Sequence, residues 1–204
     1  LDLVDRRAVL CDLDGCLISG GRVLPGAHEL VAGCGERLWI VSNNSADTSE
    51  TLSIRLKGIG LAIPAERILL AGEETIRHLA RDNAGARVAV HAEAPLRDLA
   101  QRLGLEPCDD APDIVVVGRD SRFGLHLLKT ISDQIFDGAE LWVTNLDTTH
   151  PGPDGLPVPE TGALLAALRA CCGPVPAHCI GKPATDLVEL ALRRSGATAE
   201  AAVF

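Results

Sequence analysis

Short apolar runs alternate along this chain with segments of helical periodicity, and this alternation constrains the fold most strongly. The strand-like runs cover residues 8–11, 38–41, 87–91, 114–117 and 140–144. Apolar residues at helical spacing occupy most of the intervals between them. Because a parallel strand pair needs a long crossover connection, strands that alternate with helices predict parallel α/β layers. We therefore expect an α/β protein.

The charge balance limits the classes of partner. The 204 residues carry 19 Lys and Arg against 28 Asp and Glu, which gives a formal net charge of −9. An acidic surface disfavours a nucleic acid or an anionic membrane as the main partner. The sequence contains no apolar run of about 18 residues or more, the length that predicts a transmembrane helix. Seven cysteines, an odd number without a C-x-x-C pair, favour a reduced, cytoplasmic location.

Two carboxylates follow the first apolar run, in the segment Asp12-Leu13-Asp14-Gly15. Ligands of open α/β sheets bind at the carboxyl ends of the strands. Alternation along the extended chain places Asp12 and Asp14 on the same side, where their charges repel each other unless a cation is present. Mg²⁺ would relieve this repulsion, with one carboxylate as nucleophile and the other as general acid and base. A solvated turn is the alternative interpretation.

Two further polar segments follow apolar runs. Ser42-Asn43-Asn44-Ser45 offers hydroxyl, amide and backbone N–H groups for a phosphate oxygen, although a capping loop is the simpler explanation of this segment alone. Lys182 lies between Gly181 and Pro183, after a strand predicted over residues 177–180. A lone lysine is usually a solvated charge, but this position suits a fixed positive charge near a phosphoryl group.

Taken in order, these segments resemble the haloacid dehalogenase superfamily, most closely its NagD-like, p-nitrophenylphosphatase branch. The resemblance covers nearly the whole chain and is carried by residues 12–18, 20–21, 24–27, 41–45, 117–120, 143–147, 159–164 and 181–183. It implies a Rossmann-like core with a parallel sheet and an inserted α/β cap of the C2 type. We expect the core at residues 1–71 and 153–204, and the cap at residues 72–152.

The resemblance implies a role for each motif residue. Asp12 attacks phosphorus and becomes an aspartyl phosphate, while Asp14 protonates the leaving oxygen and then activates water. The Asp12 carboxylate and the Asp14 backbone carbonyl hold Mg²⁺. Ser42 and Asn43 bind a phosphoryl oxygen, and Lys182 neutralises the charge of the nucleophile and the phosphate.

The cap of such proteins covers the site and determines leaving-group specificity. Asn145, Asp147 and His150 lie in or beside the loop after a cap strand and are candidate substrate residues. Ordinary polar loop residues are an equally good interpretation of all three. Related proteins often pair through their caps, so a homodimer through the cap is one candidate assembly.

The predicted function is a Mg²⁺-dependent phosphoric monoester phosphatase that acts on a small phosphorylated metabolite. The family's fourth motif, an acidic segment that supplies the last Mg²⁺ ligand, does not occur in the sequence, and we expect it beyond Phe204, so that the C-terminal part of the core is missing. The alternative is a catalytically impaired protein that binds phosphate esters and lacks this motif. A phosphomutase or dehalogenase of the same superfamily fits the large cap and the Gly181-Lys182-Pro183 segment less well.

Overall fold

The computed structural model describes Leu3, residues 5–152 and residues 154–204. Residues 1 and 153, where the two predicted parts of the core begin, lie outside the described residues. Within the described part the α/β class is confirmed. The strands are β1 (Ala8–Cys11), β2 (Ile18–Ser19), β3 (Arg22–Val23), β4 (Leu38–Ser42), β5 (Ile68–Leu70), β6 (Arg87–His91), β7 (Glu106–Pro107), β8 (Ile114–Val117), β9 (Glu140–Val143), β10 (Thr149–Pro151), β11 (Pro157–Pro159) and β12 (Ala202–Val203).

The helices fill the intervals between these strands. They are α1 (Ala27–Cys34), α2 (Ser49–Gly58), α3 (Ala71–Asp82), α4 (Ala94–Arg102), α5 (Leu125–Phe136), α6 (Thr161–Cys172) and α7 (Asp186–Ser195), with short 3-10 turns at Gly35–Arg37, Ala65–Arg67 and Ala199–Ala201. No helix in the part of the chain that the structure describes is long and apolar enough to cross a bilayer.

Four parallel strands form the first sheet, in the order β12, β1, β4, β5. β1 and β4 pair with Val9 opposite Leu38. Successive side chains alternate between the two faces, so that Val9 and Ile40 pack with α1 and α2. Leu10 and Val41 pack on the other face with α7. Because helices cover both faces, these strands are apolar except at Ser42, the last residue of β4.

The second sheet is also parallel and has the order β7, β6, β8, β9. Val88 of β6 lies opposite Ile114 of β8, and Val116 of β8 lies opposite Trp142 of β9. Helices α3 and α4 cover one face of this sheet, and α5 and α6 cover the other. Each sheet therefore has its own pair of apolar layers.

Helix α6 packs on the second sheet, which differs from the prediction that residues 153–204 all belong to the core. Leu168 of α6 is fully buried and joins the same apolar cluster as Val115 and Ile131. An amphipathic helix does not show in its sequence which sheet it covers. The exact boundaries of the two units remain predictions, and packing alone groups α6 with the second sheet.

The segment at residues 177–180 was predicted as a strand, but it contributes only an isolated bridge between His178 and Trp142. The Trp142 ring stacks on the His178 ring, with 4.9 Å between their centroids. The centroid of the His78 ring, on α3, lies 5.2 Å from that of Trp142. Trp39, the other tryptophan of the chain, lies in β4 of the first sheet.

Two antiparallel hairpins border the carboxyl end of the first sheet. β2 pairs with β3, and β10 pairs with β11 with His150 opposite Val158. The second hairpin falls within residues 149–159, a stretch of the sequence that is rich in Pro and Gly and follows the second sheet. Both hairpins contribute residues to the cleft described next.

Candidate active site

The carboxyl ends of β1 and β4 open into a cleft of about 420 Å³. The predicted site residues that line it are Asp12, Asp14, Ser42, Asn43, Asp147, His150 and Lys182. These residues come from four separate segments of the chain, and parallel pairing of β1 with β4 explains why the first two segments meet.

Asp12 and Lys182 form an ion pair in the cleft, with 2.8 Å between Lys182 Nζ and Asp12 Oδ1. The same Asp12 oxygen accepts a hydrogen bond from the backbone N–H of Leu13 at 2.8 Å. The Asp12 side chain is nevertheless 36% exposed. The carboxylate is thus oriented by two donors and is still reachable from the cleft.

Asp14 lines the same cleft two residues further along the chain. Burial raises the pKa of the Asp14 carboxyl above its ordinary value, and the neighbouring Asp12 charge acts in the same direction. The charges of His150 and Arg55 oppose this shift. A carboxyl with a raised pKa keeps its proton to higher pH, which is the state that a general acid needs.

Ser42 and Asn43 follow β4 but take different parts in the site. Ser42 is buried, and its Oγ accepts a hydrogen bond from the backbone N–H of Asn44 at 3.1 Å. The Asn43 side chain holds the backbone of Lys182 from both sides: its Oδ1 accepts from the Lys182 N–H at 2.7 Å, and its Nδ2 donates to the Lys182 carbonyl at 3.0 Å. The Asn43 amide therefore supports Lys182, in addition to the phosphate contact predicted for this residue.

The three predicted substrate residues are placed differently. Asp147 Oδ2 accepts a hydrogen bond from Asn43 Nδ2 at 2.9 Å, and His150 Nδ1 lies 2.7 Å from Glu160 Oε1. Both side chains face the cleft. Asn145 is only 1% exposed, and its Nδ2 donates to the Asn43 carbonyl at 2.8 Å. Asn145 is buried behind the cleft and is not among the described residues that line it.

The cleft is also lined by four charged side chains that the sequence analysis did not identify: Asp47, Arg55, Arg119 and Glu160. Arg119 Nε lies 3.8 Å from Glu160 Oε1, and an Arg55 guanidinium nitrogen lies 2.9 Å from Asp47 Oδ2. Burial raises the pKa of Glu160, and the charges of Arg119 and His150 oppose the shift. Glu160 and Arg119 fall within segments that carry the family resemblance, which is the signal that could have identified them. Arg55 lies within α2, where no sequence signal distinguishes it.

The cleft offers oxygen ligands that suit Mg²⁺. The Asp12 carboxylate and the Asp14 backbone carbonyl are the predicted ligands, and proteins bind Mg²⁺ through one or two carboxylates together with substrate phosphate and water. Among the described residues, no group of three His, Cys, Asp or Glu side chains is arranged to hold a metal. The donors that are present therefore fit a Mg²⁺ ion that keeps several water ligands.

Known proteins resemble this chain in both sequence and fold. A family model described as haloacid dehalogenase-like hydrolase matches residues 9–106. Dihydroxyacetone phosphatase of Corynebacterium glutamicum (strain R) is 33% identical over 198 residues, which cover 96% of this chain and 71% of that protein. Ribonucleotide monophosphatase NagD of Escherichia coli (strain K12) is 27% identical over 201 residues, which cover 97% of this chain and 78% of that protein.

A solved structure shows the same fold. Glycerol phosphate phosphatase from Mycobacterium tuberculosis in complex with magnesium matches with a TM-score of 0.84 and 28% identity. The match covers 94% of this chain and 59% of that chain, so the present chain spans less than two thirds of that protein.

Proposed function

The chain belongs to the haloacid dehalogenase-like hydrolases, in their NagD-like branch, and we propose that it is a phosphatase that hydrolyses a small phosphate monoester through an aspartyl phosphate on Asp12. One observation carries this proposal. Lys182 Nζ lies 2.8 Å from a carboxylate that remains exposed to the cleft, at the end of β1 and beside Ser42. A nucleophile held next to a fixed positive charge is the arrangement that phosphoryl transfer needs.

In the first step, an Asp12 carboxylate oxygen forms a bond to phosphorus. The ester P–O bond breaks, its electron pair leaves with the ester oxygen, and the Asp14 proton passes to that oxygen. In the second step, water attacks the phosphorus of the aspartyl phosphate and gives a proton to Asp14, which releases inorganic phosphate and the Asp12 carboxylate. The raised pKa of Asp14 supports the first step, because the group must begin it protonated.

Charge develops on the phosphoryl oxygens during both steps. Lys182 and the Ser42 hydroxyl are the proposed partners of these oxygens in this chain, together with the backbone N–H of Asn43. Mg²⁺ bound to the Asp12 carboxylate and the Asp14 backbone carbonyl would offset further negative charge. Donors that are fixed before the reaction stabilise this charge without reorganisation.

The proposed leaving group is a neutral three-carbon polyol or ketol. Among the described residues of the cleft, both arginines already face acidic partners: Arg55 faces Asp47, and Arg119 faces Glu160, whose Oε1 also lies 2.7 Å from His150 Nδ1. A second phosphate or carboxylate on the substrate would have to displace one of these partners. The names of two relatives, dihydroxyacetone phosphatase and glycerol phosphate phosphatase, describe leaving groups of this class.

Assembly and location remain predictions. We keep the homodimer through the cap as the proposed assembly and the cytoplasm as the proposed location. All seven cysteines are free thiols in the structure, as the proposed location requires.

The test measures phosphate release from glycerol phosphate, 2-phosphoglycolate and p-nitrophenyl phosphate by the natural protein and its Asp12→Asn variant. We expect turnover that EDTA removes and added Mg²⁺ restores. We also expect kcat/KM to be higher for glycerol phosphate than for 2-phosphoglycolate, which carries a second anion. Asp12→Asn should lower kcat by on the order of 10⁴-fold or more, because the amide cannot act as the nucleophile.

The matched control is Asp98→Asn, the same substitution at an exposed position of α4. This variant should keep the wild-type rate. Wild-type turnover by Asp12→Asn would overturn the proposed mechanism. Binding of glycerol phosphate by the wild-type protein without turnover would instead support a phosphate-ester-binding protein.

A further inference from the structure

Asn145 lies where the second sheet meets the first. It follows β9, is 1% exposed, and donates through Nδ2 to the backbone carbonyl of Asn43 at 2.8 Å. Its Oδ1 accepts from the backbone N–H of Asp147 at 3.0 Å. Both polar groups of the Asn145 amide are therefore used to hold backbone, and the residue stands behind the cleft.

Asn43 continues this connection toward the cleft. Its carbonyl is held by Asn145, and its side-chain amide makes two hydrogen bonds to the backbone of Lys182, at 2.7 and 3.0 Å. Residue 182 is thus fixed by both its N–H and its carbonyl. A rigid backbone at this position determines where Nζ can reach.

Gly181 provides independent evidence that this segment is tightly seated. A Cβ at position 181 would lie 2.6 Å from the Thr144 carbonyl oxygen, a distance that real Cβ atoms essentially never show. It would also lie 3.0 Å from Asn43 Oδ1. The Asn145 Cα would be 3.2 Å away. The segment before Lys182 is therefore wedged between Asn43 and the end of β9.

We propose that Asn145 is a positioning residue: it fixes Asn43, which fixes the Lys182 backbone and so holds Nζ against Asp12. The catalytic part of this inference depends on the proposed phosphatase function, whereas the effect on Lys182 itself does not. The role differs from the leaving-group contact that the sequence predicted for Asn145. In this role, a residue that follows the last strand of the second sheet helps to orient Asp12, which follows β1 of the first sheet.

Amine reactivity tests the position of Lys182 without any substrate. The chain has three lysines, Lys57, Lys129 and Lys182. Only Lys182 is held in the cleft, where its side chain is 20% exposed and paired with Asp12, whereas Lys57 is exposed on α2. A short pulse of acetic anhydride followed by peptide mass spectrometry gives the labelling of Lys182 relative to Lys57 within one molecule.

Two variants remove the donor of Asn145. Asn145→Asp replaces Nδ2 by an oxygen that faces the Asn43 carbonyl, and Asn145→Ala removes the amide without adding charge. Both should raise the relative labelling of Lys182 several-fold. The control is Thr144→Val, which removes a neighbouring buried hydroxyl, 3.3 Å from Thr161 Oγ1, and leaves the Asn43 contact in place. This control should label like the wild type.

Three results would overturn the inference: unchanged Lys182 labelling in a folded Asn145→Ala variant, an equal rise in Thr144→Val, or loss of the whole fold in Asn145→Ala by circular dichroism. The last result would show a general structural role. The labelling experiment tests the position of Lys182 even if the wild-type protein has no turnover. Absence of turnover would count against the proposed phosphatase function alone.

Kinetics supply the second readout. If Asn145 positions Lys182, kcat should fall about 10- to 100-fold in both Asn145 variants, by the same factor for p-nitrophenyl phosphate and glycerol phosphate. Any change in KM should also be the same factor for both substrates, because Lys182 contacts the phosphoryl group that they share. A leaving-group contact would instead change KM for one substrate more than for the other, and that result would contradict the inference.

Discussion

Cys11 immediately precedes Asp12, and its thiol contacts the backbone of that residue. Its Sγ donates a hydrogen bond to the Asp12 carbonyl at 3.1 Å. Burial raises the pKa of the Cys11 thiol to about 12, and the charges of Cys16 and Asp12 act in the same direction. At pH 8 only about one molecule in 10⁴ therefore carries the thiolate. Cys11 is a poor competitor of Asp12 for an electrophile.

This leads to a prediction about thiol alkylation. In the folded protein at pH 8, iodoacetamide should modify the exposed Cys16 and leave Cys11 unmodified, because a raised pKa keeps the thiol protonated and burial limits access. Peptide mass spectrometry over a time course measures both sites. In guanidinium chloride both should react. Equal rates in the folded protein would contradict the prediction.

The sequence was sufficient to place the residues that follow buried strands. Asp12, Asp14 and Ser42 were predicted at the site because parallel strands end at a common edge. The role of Asn145 was not predictable in the same way. Whether a polar side chain after β9 faces a cleft or the interior depends on the elements that cover it, here the loop after β4 and the start of α6, where Thr161 Oγ1 lies 3.4 Å from Asn145 Nδ2.

At the scale of the elements, α6 stabilises the second sheet. Leu168 is fully buried in the cluster that contains Val115 and Ile131. Leu168→Ala should lower the free energy of unfolding by about 2–5 kcal/mol, the cost of an unfilled core position. Urea unfolding followed by circular dichroism measures this change.

The control for this prediction is Leu125→Ala on α5, because the Leu125 side chain is largely exposed, at 86%. It should change the free energy of unfolding by no more than about 0.5 kcal/mol. If Leu168→Ala were as mild as this control, the packing of α6 on the second sheet would be refuted.

Long, fully apolar strands were predictable, and short or proline-flanked ones were not. β8, residues Ile114–Val117, is buried on both faces and reads as a continuous apolar run. β5 has only three residues, too few for a periodic signal, and it was missed. β11 begins and ends with proline, which argues against a strand in any sequence-based reading. The side on which α6 packs depends on tertiary contacts that no local pattern encodes.

At the scale of the whole molecule, two separate apolar cores meet through polar contacts. Ser45, after β4, accepts a hydrogen bond from the Arg119 N–H at 3.1 Å. Glu74 of α3 forms an ion pair with Arg194 of α7 at 3.0 Å. The cleft is lined by Asp12 and Ser42, at the ends of β1 and β4, and by Arg119 and Asp147, which follow β8 and β9. The sequence predicted two units, but no sequence pattern predicted the Ser45–Arg119 and Glu74–Arg194 contacts between them.

The placement of one tryptophan in each sheet has an experimental consequence: the molecule contains a separate fluorescent reporter for each of its two cores. Trp39 lies in β4, and Trp142 lies in β9 against His178. In a Trp39→Phe background, emission should follow the second core, and in a Trp142→Phe background it should follow the first. Leu168→Ala should therefore lower the urea midpoint reported by Trp142 more than the midpoint reported by Trp39. Equal shifts would mean that the two cores unfold as one cooperative unit.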